Sequence, residues 1–114
     1  MSMVRPVFAV AFALALETTS PLMAAGQDVK RGAEVYAAQK CSVCHSIAGK
    51  GGKSSALDGI GAKMSADDIR KWITAPVEMT AKANSTKKPP MPAKWTNLPA
   101  ADLDALVAYI ASLK

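Results

Sequence analysis

The chain has a single histidine and two cysteines among its 114 residues. One histidine excludes any site that needs two imidazoles from the same chain. One histidine with two cysteines also falls short of the four ligands of a structural zinc site, and no second cluster completes the set. Long apolar runs are equally scarce. The run Val7 to Leu16 is ten residues, against about 20 for a bilayer span. No segment reads as a confident strand and no internal repeat is present, so βαβ and repeat architectures drop out. A chain of this length makes one compact domain with a modest apolar core, to which a bound group would add stability.

The first residues read as a targeting segment. Met1 to Arg5 is a short basic start, Val7 to Leu16 is apolar, and a polar stretch leads to Met23-Ala24-Ala25. This is the pattern of a secretory signal peptide over residues 1–25, which implies export to the periplasm and a mature domain over 26–114. No cysteine follows for a lipid anchor, and no transmembrane segment is expected once the signal is removed. Removing residues 1–25 deletes Arg5 and Glu17, so 13 basic and 8 acidic side chains remain and the formal charge stays at +5. The surplus is carried by dispersed lysines, which form either a soluble surface or a docking face for an acidic partner. It points away from nucleic acid.

The rest of the chain reads as helices joined by loops. Asp28 to about Lys40 has helical spacing at Val29, Gly32, Ala33 and Tyr36, with Asp28 as N-cap. Gly32 on that apolar face predicts a close approach by another helix. Ala48 to Ala62 is rich in glycine and small polar residues and reads as a loop. Ser65 is an N-cap for a short helix reaching about Ala75, Met64 and Ile69 form a hydrophobic staple, and Pro76 is expected to end the helix. Lys87-Lys88-Pro89-Pro90-Met91-Pro92 excludes a helix interior. Leu98-Pro99-Ala100 starts the last helix, with Leu103, Leu106, Val107, Ile110 and Leu113 on one stripe. The fold class is all-α.

Cys41-Ser42-Val43-Cys44-His45 carries the chemistry. Two thiols three positions apart, followed at once by histidine, form the attachment pattern of a c-type haem. In a helical turn both thiols face one way and can meet the two vinyl groups on one edge of a porphyrin, with His45 reaching the iron from the same side. The second ring nitrogen of His45 is expected to donate to a backbone carbonyl, which fixes the ring plane. A thioredoxin-like dithiol would need a βαβ setting, and no strand signal precedes Cys41.

With no second histidine, the sixth ligand must come from a methionine. Met64, Met79 and Met91 are the candidates outside the signal segment, each of which could instead be a core gap-filler. Met64 has its staple to form, and Met79 lies in a looser polar stretch. Met91 stands between Pro90 and Pro92, which hold its backbone with little freedom to lose. His45 and Met91 are therefore the expected axial pair. Such an iron is saturated, which suits electron transfer better than peroxide or oxygen chemistry.

Over nearly all of residues 27–114 the chain resembles the small monohaem class I cytochromes c of bacteria. The attachment motif is Cys41 to His45, the methionine loop is Met91-Pro92, and the glycine and aromatic of the first helix are Gly32 and Tyr36. The resemblance implies crossing N- and C-terminal helices, with loops wrapping one covalent haem. It implies a monomeric single-electron carrier serving redox proteins with acidic docking surfaces, and no enzyme activity. A haem-bearing subunit of a larger oxidoreductase, or a gas-binding or peroxidatic haem protein, would share most of these features. In the family a carbonyl in a Gly-Pro-x-Leu run accepts the proton of the ligating histidine. The matching run here is Ser55-Ala56-Leu57, which makes Ala56 the expected acceptor and Leu57 a cofactor-binding residue. Related proteins use a tryptophan to bond a haem propionate, a role open to both Trp72 and Trp95.

Overall fold

The computed structural model describes residues 3, 11–16 and 21–114. All of the basic start but Met3, and residues 7–10 of the apolar run assigned to a signal segment, lie outside the described residues. Residues 11–16 have no regular secondary structure, and Phe12, Leu14 and Leu16 are more than 80% exposed.

Helix α1 spans Pro21–Ala38, starting well before the expected cap at Asp28, which is therefore interior to the helix. Pro21 suits the first helical position, and no breaker stands between it and Asp28 except Gly26, whose missing side chain has open space around it. The expected domain boundary at Ala25 consequently falls inside α1. Lys40, at φ 56, turns the chain out of α1 into a single 3₁₀ turn over Cys41–Val43.

The stretch expected to be an all-loop segment holds the second departure. Within Ala48 to Ala62 lie two short strands, β2 (Lys50–Gly51) and β3 (Ser55–Ala56), and the start of α2 (Ile60–Lys63); both strands pair with β1 (His45–Ile47) just before this stretch, in the order β2-β1-β3. β1 pairs antiparallel with β2 and parallel with β3. Ala48 and Gly49, at φ 53 and 77, turn β1 back onto β2, the positive-φ pair that a tight hairpin requires. The Ala48 N–H donates to Asp58 Oδ1 at 2.7 Å, which holds the alanine in this unfavoured conformation. Such strands show no periodicity in sequence because each is two or three residues long.

Helix α2 covers Ile60–Lys63, α3 covers Ala66–Thr74, α4 covers Pro76–Lys82 and α5 covers Ala100–Ala111. Ser65 caps α3 as expected, its Oγ accepting from Asp68 N at 3.1 Å. Ile69 is buried and Met64 packs against the same core, the expected staple. Pro76 does end α3, but it then starts α4. Proline has no N–H to lose at a first helical position, so it serves both purposes.

Helix α1 packs along α5. Gly32 sits where the two meet, and a Cβ there would overlap the Ala105 carbonyl. Tyr36 and Tyr109 meet edge to face with centroids 5.6 Å apart, and Arg31 pairs with Asp102 at 2.8 Å. Arg70 of α3 pairs with Asp104 at 2.7 Å, tying α3 to α5. The core gathers Val35, Tyr36, Leu57, Ile69, Ile73, Leu106, Val107 and Ile110. The chain is thus helix-rich rather than purely helical. Among the described residues, no helix is long and apolar enough to cross a membrane.

Candidate functional site

The core is open on one side. A cavity of about 600 Å³ runs between the 3₁₀ turn, β3, α3, α5 and the proline-rich loop after α4. That volume lies within the ~300–1,000 Å³ range of small-molecule and cofactor clefts. Leu57, Ile60, Ile69, Ile73, Leu106 and Ile110 form its apolar wall.

Six of the seven residues singled out in the sequence line this cavity: Cys41, His45, Leu57, Trp72, Met91 and Trp95. Cys44 is half-buried beside it and is not part of the lining. The two cysteines bracket a single turn of backbone. Cys44 N–H donates to the Cys41 carbonyl at 3.2 Å, closing one 3₁₀ turn. Both cysteines are free. Burial pushes the Cys41 thiol up, so it is protonated near neutral pH.

His45 is held by the sheet. Its Nδ1 lies 3.1 Å from the carbonyl oxygen of Ser55, its partner in the parallel β1–β3 pairing. This corrects the expected acceptor from Ala56 to Ser55. The reason is register: Ala56 pairs with Ser46, one step further along the strand. With the Nδ1 proton donated, the lone pair is on Nε2. Burial lowers the His45 pKa, the bond to Ser55 opposes this, and the Lys87 charge adds to the lowering. The imidazole is therefore neutral, the form able to coordinate a metal. Tyr36 Oη donates to the His45 carbonyl at 3.4 Å from the floor of the site.

The methionines separate by position. Met64 and Met91 both line the cavity. Met79 is buried and lines a second, smaller cleft behind Trp72. The tryptophans separate by bonding. Trp95 Nε1 donates to Gln39 Oε1 at 3.1 Å, which engages the one N–H an indole has. Trp72 faces the cavity and the smaller cleft together. Lys87 reaches the rim, its Nζ donating to the Ser54 carbonyl at 3.3 Å.

Sequence reasoning did not find Gln39, and it reached the run that holds Ser55 but chose the next carbonyl. Gln39 resembles any polar residue at a helix end, and Ser55 acts through its backbone, which side-chain chemistry does not reveal.

These residues fit a covalently held haem. An apolar cleft of adequate size is lined by a neutral, oriented imidazole, by Met64 and Met91 and by Cys41, with Cys44 one turn of backbone away. The cytochrome c family model matches residues 29–114, in agreement with the resemblance to the small class I monohaem proteins. No curated protein and no solved structure matches the chain. With the match covering most of its length, the chain belongs to the cytochrome c family, haem proteins that transfer electrons.

Proposed function

We propose that this cytochrome c is a single-electron carrier of the periplasm, holding one haem through thioether bonds from Cys41 and Cys44, with His45 and Met91 as axial ligands. The observation that carries the reading is that His45 and Met91 line one cavity from separate elements, His45 from β1 and Met91 from the loop between α4 and α5. Haem iron, when bound, supplies the ferrous–ferric couple.

The chain's own residues do the rest. Ser55 orients the His45 ring and, by accepting its proton, raises the basicity of the other nitrogen. Met91 would hold the iron together with His45, which would leave no open site for a substrate, and a thioether ligand would raise the reduction potential. The aliphatic wall excludes water, which favours the reduced, less charged state of the site. Trp72, rather than Trp95, has its indole N–H available for a propionate. Lys50, Lys53, Lys87, Lys88 and Lys94 are exposed, Lys87 at the cavity rim, and such a basic surface suits an acidic redox partner docking to a monomer.

Export rests on the basic start, the apolar run and the exposed Phe12, Leu14 and Leu16, which take no part in the core. Mass measurement of the exported protein is expected to place the mature N-terminus near residue 26. An intact Met1 would remove the signal reading.

For ligation, the test is Met91→Ala in the holoprotein. The weak far-red charge-transfer band of ferric methionine ligation is expected to vanish and the reduced protein to bind carbon monoxide. Persistence of the band would assign the ligand to another methionine.

A further inference from the structure

The segment between α4 and α5 carries Met91, and beyond the packing of Met91, Trp95 and Leu98 on the core few bonds hold it. Among the described residues, no backbone hydrogen bond ties residues 88–94 to the rest of the chain. Prolines at 89, 90 and 92 stiffen the segment without attaching it to anything. Two side-chain bonds flank Met91: Lys87 Nζ to the Ser54 carbonyl on one side and Trp95 Nε1 to Gln39 Oε1 on the other. The lysine bond is long and exposed, so water competes for both partners. The tryptophan bond is part-buried and 3.1 Å long, and it spans 56 positions of sequence.

Its anchor is rigid. Gln39 N–H donates to the Val35 carbonyl at 2.8 Å, continuing the last turn of α1, which is packed on α5. Two residues later comes Cys41. Gln39 therefore joins the ordered end of α1, beside the attachment motif, to the loop that presents the opposite ligand.

We propose that Gln39 is a positioning residue for Met91, its side-chain oxygen latching the indole of Trp95 so that the Met91 loop stays closed over the cavity. This rests on Met91 being the iron ligand. A loop latched only at an exposed lysine opens more often, and any external ligand that needs the sixth position binds in proportion to that open fraction.

Imidazole titrated into the ferric holoprotein reads the open fraction directly. Losing one net hydrogen bond is expected to raise imidazole affinity about 3- to 10-fold in Gln39→Leu and again in Trp95→Phe. The double variant should show no further gain, since both remove the same bond. Gln39→Glu, which keeps an acceptor, should bind imidazole as the wild type does. Arg31→Ala removes a surface ion pair elsewhere on α1 and should also leave imidazole affinity unchanged. Unchanged affinity in both single variants, or an equal rise in Arg31→Ala, would overturn the latch.

Should the variants fail to accumulate with haem, hydrogen exchange at the Trp95 indole of the wild-type holoprotein decides. Slow exchange is expected, and exchange at the rate of a free indole would overturn the proposal. Met91→Ala separates the two claims. If that variant loses the far-red band while Gln39→Leu binds imidazole normally, the latch alone fails. If it keeps the band, the ligand assignment fails.

Discussion

His45 Nδ1 sits 3.1 Å from the carbonyl oxygen of Ser55, and the two residues are partners in a parallel strand pair. The ring of the expected iron ligand is thus oriented by backbone register. The segment that supplies the carbonyl is folded tightly over the attachment motif: Gly52 N–H donates to Ser42 O at 2.7 Å and Ser55 N–H donates to Cys44 O at 3.3 Å.

Gly52 is where this arrangement can be tested. A Cβ there would overlap the Val43 carbonyl, and backbone cannot rotate away as a side chain can. Gly52→Ala is expected to cost about 1–3 kcal/mol, the usual range for overpacking, measured as a lower denaturation midpoint. As the segment shifts, the bond to His45 weakens, the ring becomes less basic and the reduction potential rises. Voltammetry showing an unchanged or lower potential would contradict the role given to Ser55.

Met64 shares the cavity with Met91 and is the rival thioether. Its place as the staple before α3 makes it replaceable by another apolar side chain of similar volume. Met64→Leu is expected to cost less than about 1.5 kcal/mol and to keep the far-red band of the ferric protein. Loss of that band in Met64→Leu, with retention in Met91→Ala, would exchange the two assignments.

Tyr36 couples stability to alkaline pH. Burial pushes its phenol up from 10.0 to about 12. Between those values the folded chain keeps a proton that the unfolded chain has released. Stability from this group is therefore complete below pH 10 and is lost as pH rises through about 12. Tyr36→Phe has no such proton. The stability of wild type relative to Tyr36→Phe is expected to fall above pH 10, read by denaturant unfolding at several pH values. A constant difference across that window would show that the phenol is not desolvated as described.

Electron exchange with an acidic partner should slow as salt is added. The exposed lysines act at long range, and the Debye length falls from ~10 Å at 0.1 M to ~3 Å at 1 M ionic strength. Stopped-flow rates are expected to drop over that interval, and less so in Lys87→Gln/Lys88→Gln. A rate indifferent to salt would remove the basic docking face from the account.

What the sequence determined by itself was whatever depends on near neighbours along the chain. Cys41, Cys44 and His45 could be read as an attachment motif because that pattern lies within five consecutive residues. Ser65 could be read as a cap because its partner is Asp68, and the stripe on α5 could be read because helical period is local. Gly32 is an intermediate case: its cost in a helix interior signalled a close neighbour, while the identity of that neighbour, Ala105, needed the fold. Only the tertiary structure decided which carbonyl receives the His45 proton, which methionines face the cavity, and that Gln39 meets Trp95. These pairings join segments of turn-forming residues, where strands are two or three residues long and no periodicity accumulates. They depend on register and on the packing of α1 against α5, quantities that no short window of sequence contains.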